Sequence, residues 1–131
     1  MSNLSNNYIA GDWVKGASSI SNINPSNTND VIGEFAQASS AQLEDALNSA
    51  QVAQRQWAAT GLEQRQAVLM KIGEEMMARS AELGELLSRE EGKPVAEGKG
   101  EVYRAGQFFT YYAAEVLRQG GDTADSVRPN I

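Results

Sequence analysis

The most chemically loaded stretch of this chain is Glu90-Glu91-Gly92-Lys93-Pro94. Leu83, Leu86, Leu87 and Glu90 fall at offsets of zero, three, four and seven, so Glu90 continues an apolar helical stripe. A carboxylate turned inward needs a cation, a metal or several donors, because burying it unpaired is costly or forces protonation. Two readings of Glu90 stand: an inward group that holds a cation, or a solvated helix end paired with Lys93. Gly92 and Pro94 read as a helix stop and a helix restart, with Pro94 in the first turn of the next helix. The two acids have no such simple reason. Negative charge at a helix C-terminus opposes the macrodipole, so compensation by a bound cation or by Lys93 is expected.

Arg104 precedes Phe108 by one helical turn. It either stacks and snorkels over the ring or serves as a guanidinium fork for a carboxylate. Glu97-Gly98-Lys99-Gly100 carries glycines of the kind found in phosphate loops, yet no strand precedes it and the full Gly-x-Gly-x-x-Gly set is missing. These small residues instead predict close approach of another element. Glu44-Asp45 and Glu74-Glu75 read as solvated helical faces.

Composition removes other chemistries. The 131 residues contain no cysteine and no histidine. They therefore hold no disulfide, thiolate zinc site, cysteine nucleophile, Ser-His-Asp triad or imidazole metal ligand. Seventeen acidic against eleven basic residues give a net charge of -6. With no basic run, sequence-independent nucleic-acid binding is not expected. Nor is a membrane partner, since no stretch approaches the ~20 apolar residues of a span. The first residues carry neither a basic nor an apolar signal region, and the expected location is the cytoplasm.

These groups must be positioned by a chain of two grammars. Residues 1–38 read as a β-hairpin segment: Tyr8-Ile9-Ala10 and Trp13-Val14 flank Gly11-Asp12, and Ile20–Ile23 pairs with Val31–Ala38 across a loop of turn formers, Asn24–Asp30. Residues 39–121 read as a helical segment. Capping boxes at Ser39–Gln42 and Thr60–Glu63 open the first two helices. Their inward stripes are Leu43, Ala46, Leu47, Ala50, Ala53 and Trp57, then Leu69, Ile72 and Met76. A third helix starts at Ser80. The fourth carries one stripe of Val102, Ala105, Phe109, Tyr112 and Val116, and a second of Arg104, Phe108, Tyr111 and Glu115. Residues 122–131 show no periodicity and read as a truncated tail. The expected fold is α+β, mainly α: two short N-terminal hairpins followed by about four helices.

Taken in order, several stretches resemble the aldehyde dehydrogenases: Asn7-Tyr8-Ile9-Ala10-Gly11-Asp12-Trp13-Val14, Ile23-Asn24-Pro25 with Val31-Ile32-Gly33, Trp57, Glu90-Glu91-Gly92-Lys93-Pro94, Glu101-Val102 and Tyr111-Tyr112-Ala113. Within that family, residues 24–30 and 90–119 are most similar to enzymes oxidising α-ketoglutarate semialdehyde. The resemblance implies the N-terminal segment of a larger NAD- or NADP-dependent enzyme, without its Rossmann core and catalytic domain. In the family a cysteine thiolate attacks the aldehyde, hydride passes to the nicotinamide, and an activated water releases the acid. This cysteine-free chain is expected to be inactive alone and to bind no cofactor, with the remainder of the enzyme or a second copy as its partner. The resemblance also implies a monovalent cation held by main-chain oxygens of Asn22 and Ile23 together with Glu90, where the family often has aspartate. It places Gly100 and Arg104 on the substrate tunnel. The competing expectation is a non-catalytic helical interaction module.

Overall fold

The computed structural model describes residues 4–118, 120–121 and 126–129. The first hairpin is the simplest element. Strands β2 (Asn7–Ile9) and β3 (Asp12–Val14) pair antiparallel with Tyr8 opposite Trp13. The two-residue turn needs positive φ at both centres, and Ala10 (55°) and Gly11 (95°) supply it. Across the strands the Tyr8 and Trp13 rings lie 4.9 Å apart, a cross-strand aromatic contact.

The second pair also forms across the loop of turn formers, β4 (Ser18–Ile23) against β5 (Val31–Gln37). An additional strand, β1 (Leu4–Ser5), lies parallel to β5, giving the order β1-β5-β4. Two residues are too short to show a period, so the sequence carries no signal for it. The β4–β5 ladder shifts register between Asn22 and Ile23.

The helices are α1 (Ser40–Ala59), α2 (Leu62–Ala78), α3 (Ser80–Glu91) and α4 (Val95–Glu115), the last running into a 3-10 turn over Val116–Arg118. Ser39 caps α1 with the full reciprocal box: its Oγ accepts from the Gln42 N–H, and its own N–H donates to Gln42 Oε1 at 2.9 Å. The box expected at Thr60 does not form. Thr60 Oγ1 donates backwards to the Gln56 carbonyl at 3.1 Å, serving the free end of α1, and Gly61 is the N-cap of α2 without a side-chain bond. Pro94 stands at the N-cap of α4, one position before the expected first turn.

Helix α4 is the central element, packed against both α2 and α3. Its buried line is Gly98, Val102, Gly106 and Ala113. That line corrects the expected stripe: Val102 belongs to it, whereas Tyr112 is 60% exposed. The helices touch backbone to backbone. A Cβ placed on Gly73 of α2 would sit 2.7 Å from the Gly106 carbonyl oxygen, and one on Gly84 of α3 would sit 2.5 Å from Lys99 Cα. Gly98 meets Gly84 and the buried Ser88 in the same way, as the expectation of close approach at residues 97–100 requires, but Gly100 faces open space.

Because glycine and serine make the contacts, several bulky side chains lie outside them. Ile72 is 39% exposed and Leu86 41%, so the inward faces of α2 and α3 are rotated towards Gly73, Gly84 and Ser88. On α1 no residue is buried; the first hairpin touches the helix, but Leu43 and Leu47 are still more than half exposed. No described helix is long and apolar enough to cross a membrane. The tail read at residues 122–131 lies largely outside the described residues.

Candidate functional site

The C-terminal end of α3 meets the β4–β5 loop and forms a polar corner. Gly92 ends the helix in the left-handed conformation at φ 75°, where its N–H donates to the Ser88 carbonyl at 2.8 Å. Its own carbonyl accepts from Ser26 Oγ at 2.7 Å. One turn of chain earlier, Arg89 grips Asp30 with both arms of its fork, Nε to Oδ2 at 2.9 Å and Nη2 to Oδ1 at 2.6 Å. Asn24 Nδ2 donates to the same carboxylate at 3.1 Å, and the Asn24 N–H donates to the Asp30 carbonyl at 3.0 Å. Arg89, followed by Asn24, brings the Asp30 carboxyl down to about 2, and the Asp30 bond in turn raises Arg89.

Glu90 stands beside this clasp. It is exposed, so of its two readings the solvated helix end holds and the inward continuation of the Leu83–Leu86–Leu87 stripe does not, although its partner is Asn22 and not Lys93. The side that α3 packs on runs through Gly84 and Ser88 instead, since small residues allow the closer approach to α4. Asn22 Nδ2 donates to Glu90 Oε1 at 2.8 Å, so two members of the expected cation trio are in contact, and Ile23 follows at the end of β4. Lys93 is taken elsewhere. Its Nζ pairs with Glu101 at 2.6 Å and with Glu91, and both bonds, Glu101 first, raise its pKa. The compensation expected at the helix end is therefore divided: Lys93 serves Glu91, and the Asn22 amide serves Glu90.

The donor chemistry of the corner suits a hard cation of low charge. Glu90 offers one carboxylate, whose second oxygen accepts no hydrogen bond among the described residues. The register shift at Asn22 and Ile23 disrupts the regular ladder beside that carboxylate. A single carboxylate with neutral main-chain oxygens balances one positive charge. No group of three or more acidic, histidine or cysteine side chains exists among the described residues to hold a more highly charged ion.

The second candidate site is on α4. Arg104, Gln107, Phe108, Tyr111 and Tyr112 line a groove of about 380 Å³. The Arg104 guanidinium lies 5.9 Å from the Phe108 ring centre, within cation–π reach, as the stacking reading expects. It forms no ion pair among the described residues. Tyr111 and Tyr112 meet edge to face at 5.3 Å, which moves Tyr112 from the expected inner stripe to this groove. Gly100 is one turn before Arg104 and faces open space, outside the residues that line the groove. Nothing in the sequence signalled that Asp30, Arg89, Asn24 and Ser26 gather beside Glu90 and Asn22.

The aldehyde dehydrogenase family pattern matches residues 13–130. The chain belongs to the aldehyde dehydrogenase family. Glutarate-semialdehyde dehydrogenase of Pseudomonas putida is 34% identical over 125 residues, covering 94% of this chain and 26% of that protein. The α-ketoglutarate semialdehyde dehydrogenase of Haloferax volcanii is 30% identical and covers 99% of this chain and 27% of that protein. Among solved structures, an NAD-dependent benzaldehyde dehydrogenase from Corynebacterium glutamicum superposes with a TM-score of 0.83 at 32% identity over 95% of this chain and 28% of that chain. The aldehyde dehydrogenase resemblance and the mainly helical α+β fold are thus borne out. The chain spans about a quarter of the length of the relatives it matches.

Proposed function

We propose that this chain is the N-terminal segment of an NAD- or NADP-dependent aldehyde dehydrogenase that oxidises a semialdehyde, a substrate with a carboxylate remote from its aldehyde, to the corresponding diacid. The α-ketoglutarate semialdehyde is the preferred candidate. The observation that carries the substrate reading is Arg104, a cation without an ion-pair partner among the described residues, on the rim of an aromatic groove. Two semialdehyde dehydrogenases among the relatives support it.

The described residues do not fit a dinucleotide. Its phosphates need a strand, a glycine-rich turn and a helix N-terminus in a parallel unit, and the glycines at 98 and 100 lie inside α4. Aldehyde oxidation through a thiolate also needs a thiol, and this chain has none. Its contribution is therefore binding and scaffolding: Arg104 orients the remote carboxylate, Gly100 keeps the helix face before it free for the substrate path, and Glu90 with Asn22 and Ile23 holds a monovalent cation. Turnover requires the rest of the enzyme, and this chain alone is inactive.

The test is Arg104→Met in the full-length protein, with kcat/KM measured on α-ketoglutarate semialdehyde and on an uncharged aldehyde of similar length. A lost charge-assisted bond lowers the semialdehyde value roughly ten- to hundredfold and leaves the neutral aldehyde nearly unchanged. Equal losses on both substrates would refute the carboxylate role.

A further inference from the structure

We infer that Asp30 and Arg89 are positioning residues for the cation corner, setting the distance between the end of β4 and the Glu90 carboxylate; this rests on the cation reading given above.

The ligands proposed for the cation come from two parts of the chain. Asn22 and Ile23 close β4, whereas Glu90 closes α3. Strand β4 and helix α3 do not pack against each other along their lengths, so something must fix the gap between their ends. The Asp30–Arg89 pair spans it. Among the described residues it is the one ion pair that joins the β segment to the helical segment.

Each end of the clasp adjoins a ligand. On the helix, Arg89 directly precedes Glu90. On the loop, both the main chain and the side chain of Asn24, the residue after Ile23, are bonded to Asp30. A two-pronged fork fixes an angle as well as a distance, which a single hydrogen bond does not. Ser26 bonded to the Gly92 carbonyl supplies a second anchor on the far side of the loop. Within this frame the Asn22 side-chain amide donates to Glu90 Oε1 at 2.8 Å, so the end of β4 and the end of α3 are held in contact.

Charge gives the clasp a second role. An uncompensated guanidinium next to Glu90 would repel a bound cation. Asp30 neutralises it, and the corner keeps the single negative charge of Glu90. The pair touches no proposed ligand atom itself and acts through the atoms it places, as partners behind a metal's ligands commonly do.

The decisive measurement is the thermal unfolding of the full-length protein in sodium, potassium and choline chloride at matched ionic strength. The readout is the stabilisation by an alkali ion beyond that by choline, and its half-saturating concentration. Wild type should show such an increment, and Glu90→Gln should abolish it. Asp30→Asn and Arg89→Met should each raise the half-saturating concentration by about tenfold. The double variant should raise it no further than the worse single one, since both remove one clasp. Arg89→Lys keeps the charge but loses the fork, so it should also raise the midpoint while perturbing folding least. If wild type and Glu90→Gln respond alike, the cation reading fails and this inference falls with it. If Glu90→Gln abolishes the response but the clasp variants, Arg89→Lys included, keep the wild-type midpoint and merely unfold earlier in every salt, the positioning role alone is overturned.

Discussion

At the scale of single residues, Asp30 connects stability to pH. Its carboxyl stands at about 2 in the folded chain against an ordinary 3.8, because Arg89 and then Asn24 bond the charged form. A folded-state pKa lowered in this way contributes stability that is fully present above the ordinary value and disappears as pH falls through the folded one. The unfolding midpoint should therefore drop between about pH 4 and pH 2 more steeply in wild type than in Asp30→Asn, and the two curves should converge near pH 2. Glu82, lowered by Arg79, titrates in the same direction in both proteins, so the difference isolates Asp30. Parallel curves would refute this assignment. The clasp also marks the limit of what sequence discloses about the site. Glu90 and Lys93 were conspicuous because they crowd a helix end, where local physics demands compensation. Asp30 reads as one turn former among several, and its partner is 59 residues away with no spacing rule to announce it.

At the scale of elements, the glycines decide how close the helices come. A methyl group at Gly106 would meet Met77 Cγ at 2.6 Å and the Gly73 carbonyl oxygen at 2.8 Å, and a backbone carbonyl has little room to retreat. Gly106→Ala should thus lower stability by about 1–2 kcal/mol, overpacking outweighing the gain in helix propensity. Gly100→Ala in the same helix meets nothing within 4 Å and should be neutral or stabilising by up to ~1 kcal/mol. Urea denaturation of the two variants tests the contrast. The helix ends at Ser39 and Gly92 were legible, since the capping box and the left-handed stop are set by residues at the ends they serve, and α3 starts at Ser80 without any side-chain cap. The packing faces were less so. Apolar periodicity points to Leu86 and Ile72, but the contact runs through Gly84, Ser88 and Gly73, whose smallness has no hydrophobic signature. Thr60 misled for a related reason: a hydroxyl between two helices can serve either end, and sequence does not say which.

At the scale of the whole molecule, the open faces dominate. Leu43, Leu47 and Trp57 on α1 are 55%, 56% and 45% exposed, and Phe108 and Tyr111 on α4 are 55% and 59% exposed. Between α1 and the first hairpin, Tyr8, Ile9, Ala46, Ala50 and Ala53 border a further groove of about 690 Å³. Soluble monomers rarely leave contiguous apolar surface of this kind uncovered. The isolated 131-residue chain should self-associate, with a light-scattering mass that rises above 14.1 kDa with concentration. Leu47→Glu and Phe108→Glu should each reduce that rise, and joining the chain to the rest of the enzyme should remove it if those faces are covered there. A constant mass of 14.1 kDa at high concentration, with no binding of an apolar dye, would count against the prediction.

The long reach of the Arg89–Asp30 clasp has a consequence for the order in which the molecule is made. Synthesis runs from the N-terminus, and the two residues are separated by 59 positions. At ~5–20 residues per second, Asp30 is in place roughly 3–12 s before its partner is added. Helices α2, α3 and α4 follow one another directly along the chain and can collapse as neighbours as they emerge. The β4–β5 loop has only bonds within itself, such as those between Asn24 and Asp30, until then. For those seconds the Asp30 carboxylate lacks its cation, and the corner closes only when the end of α3 arrives.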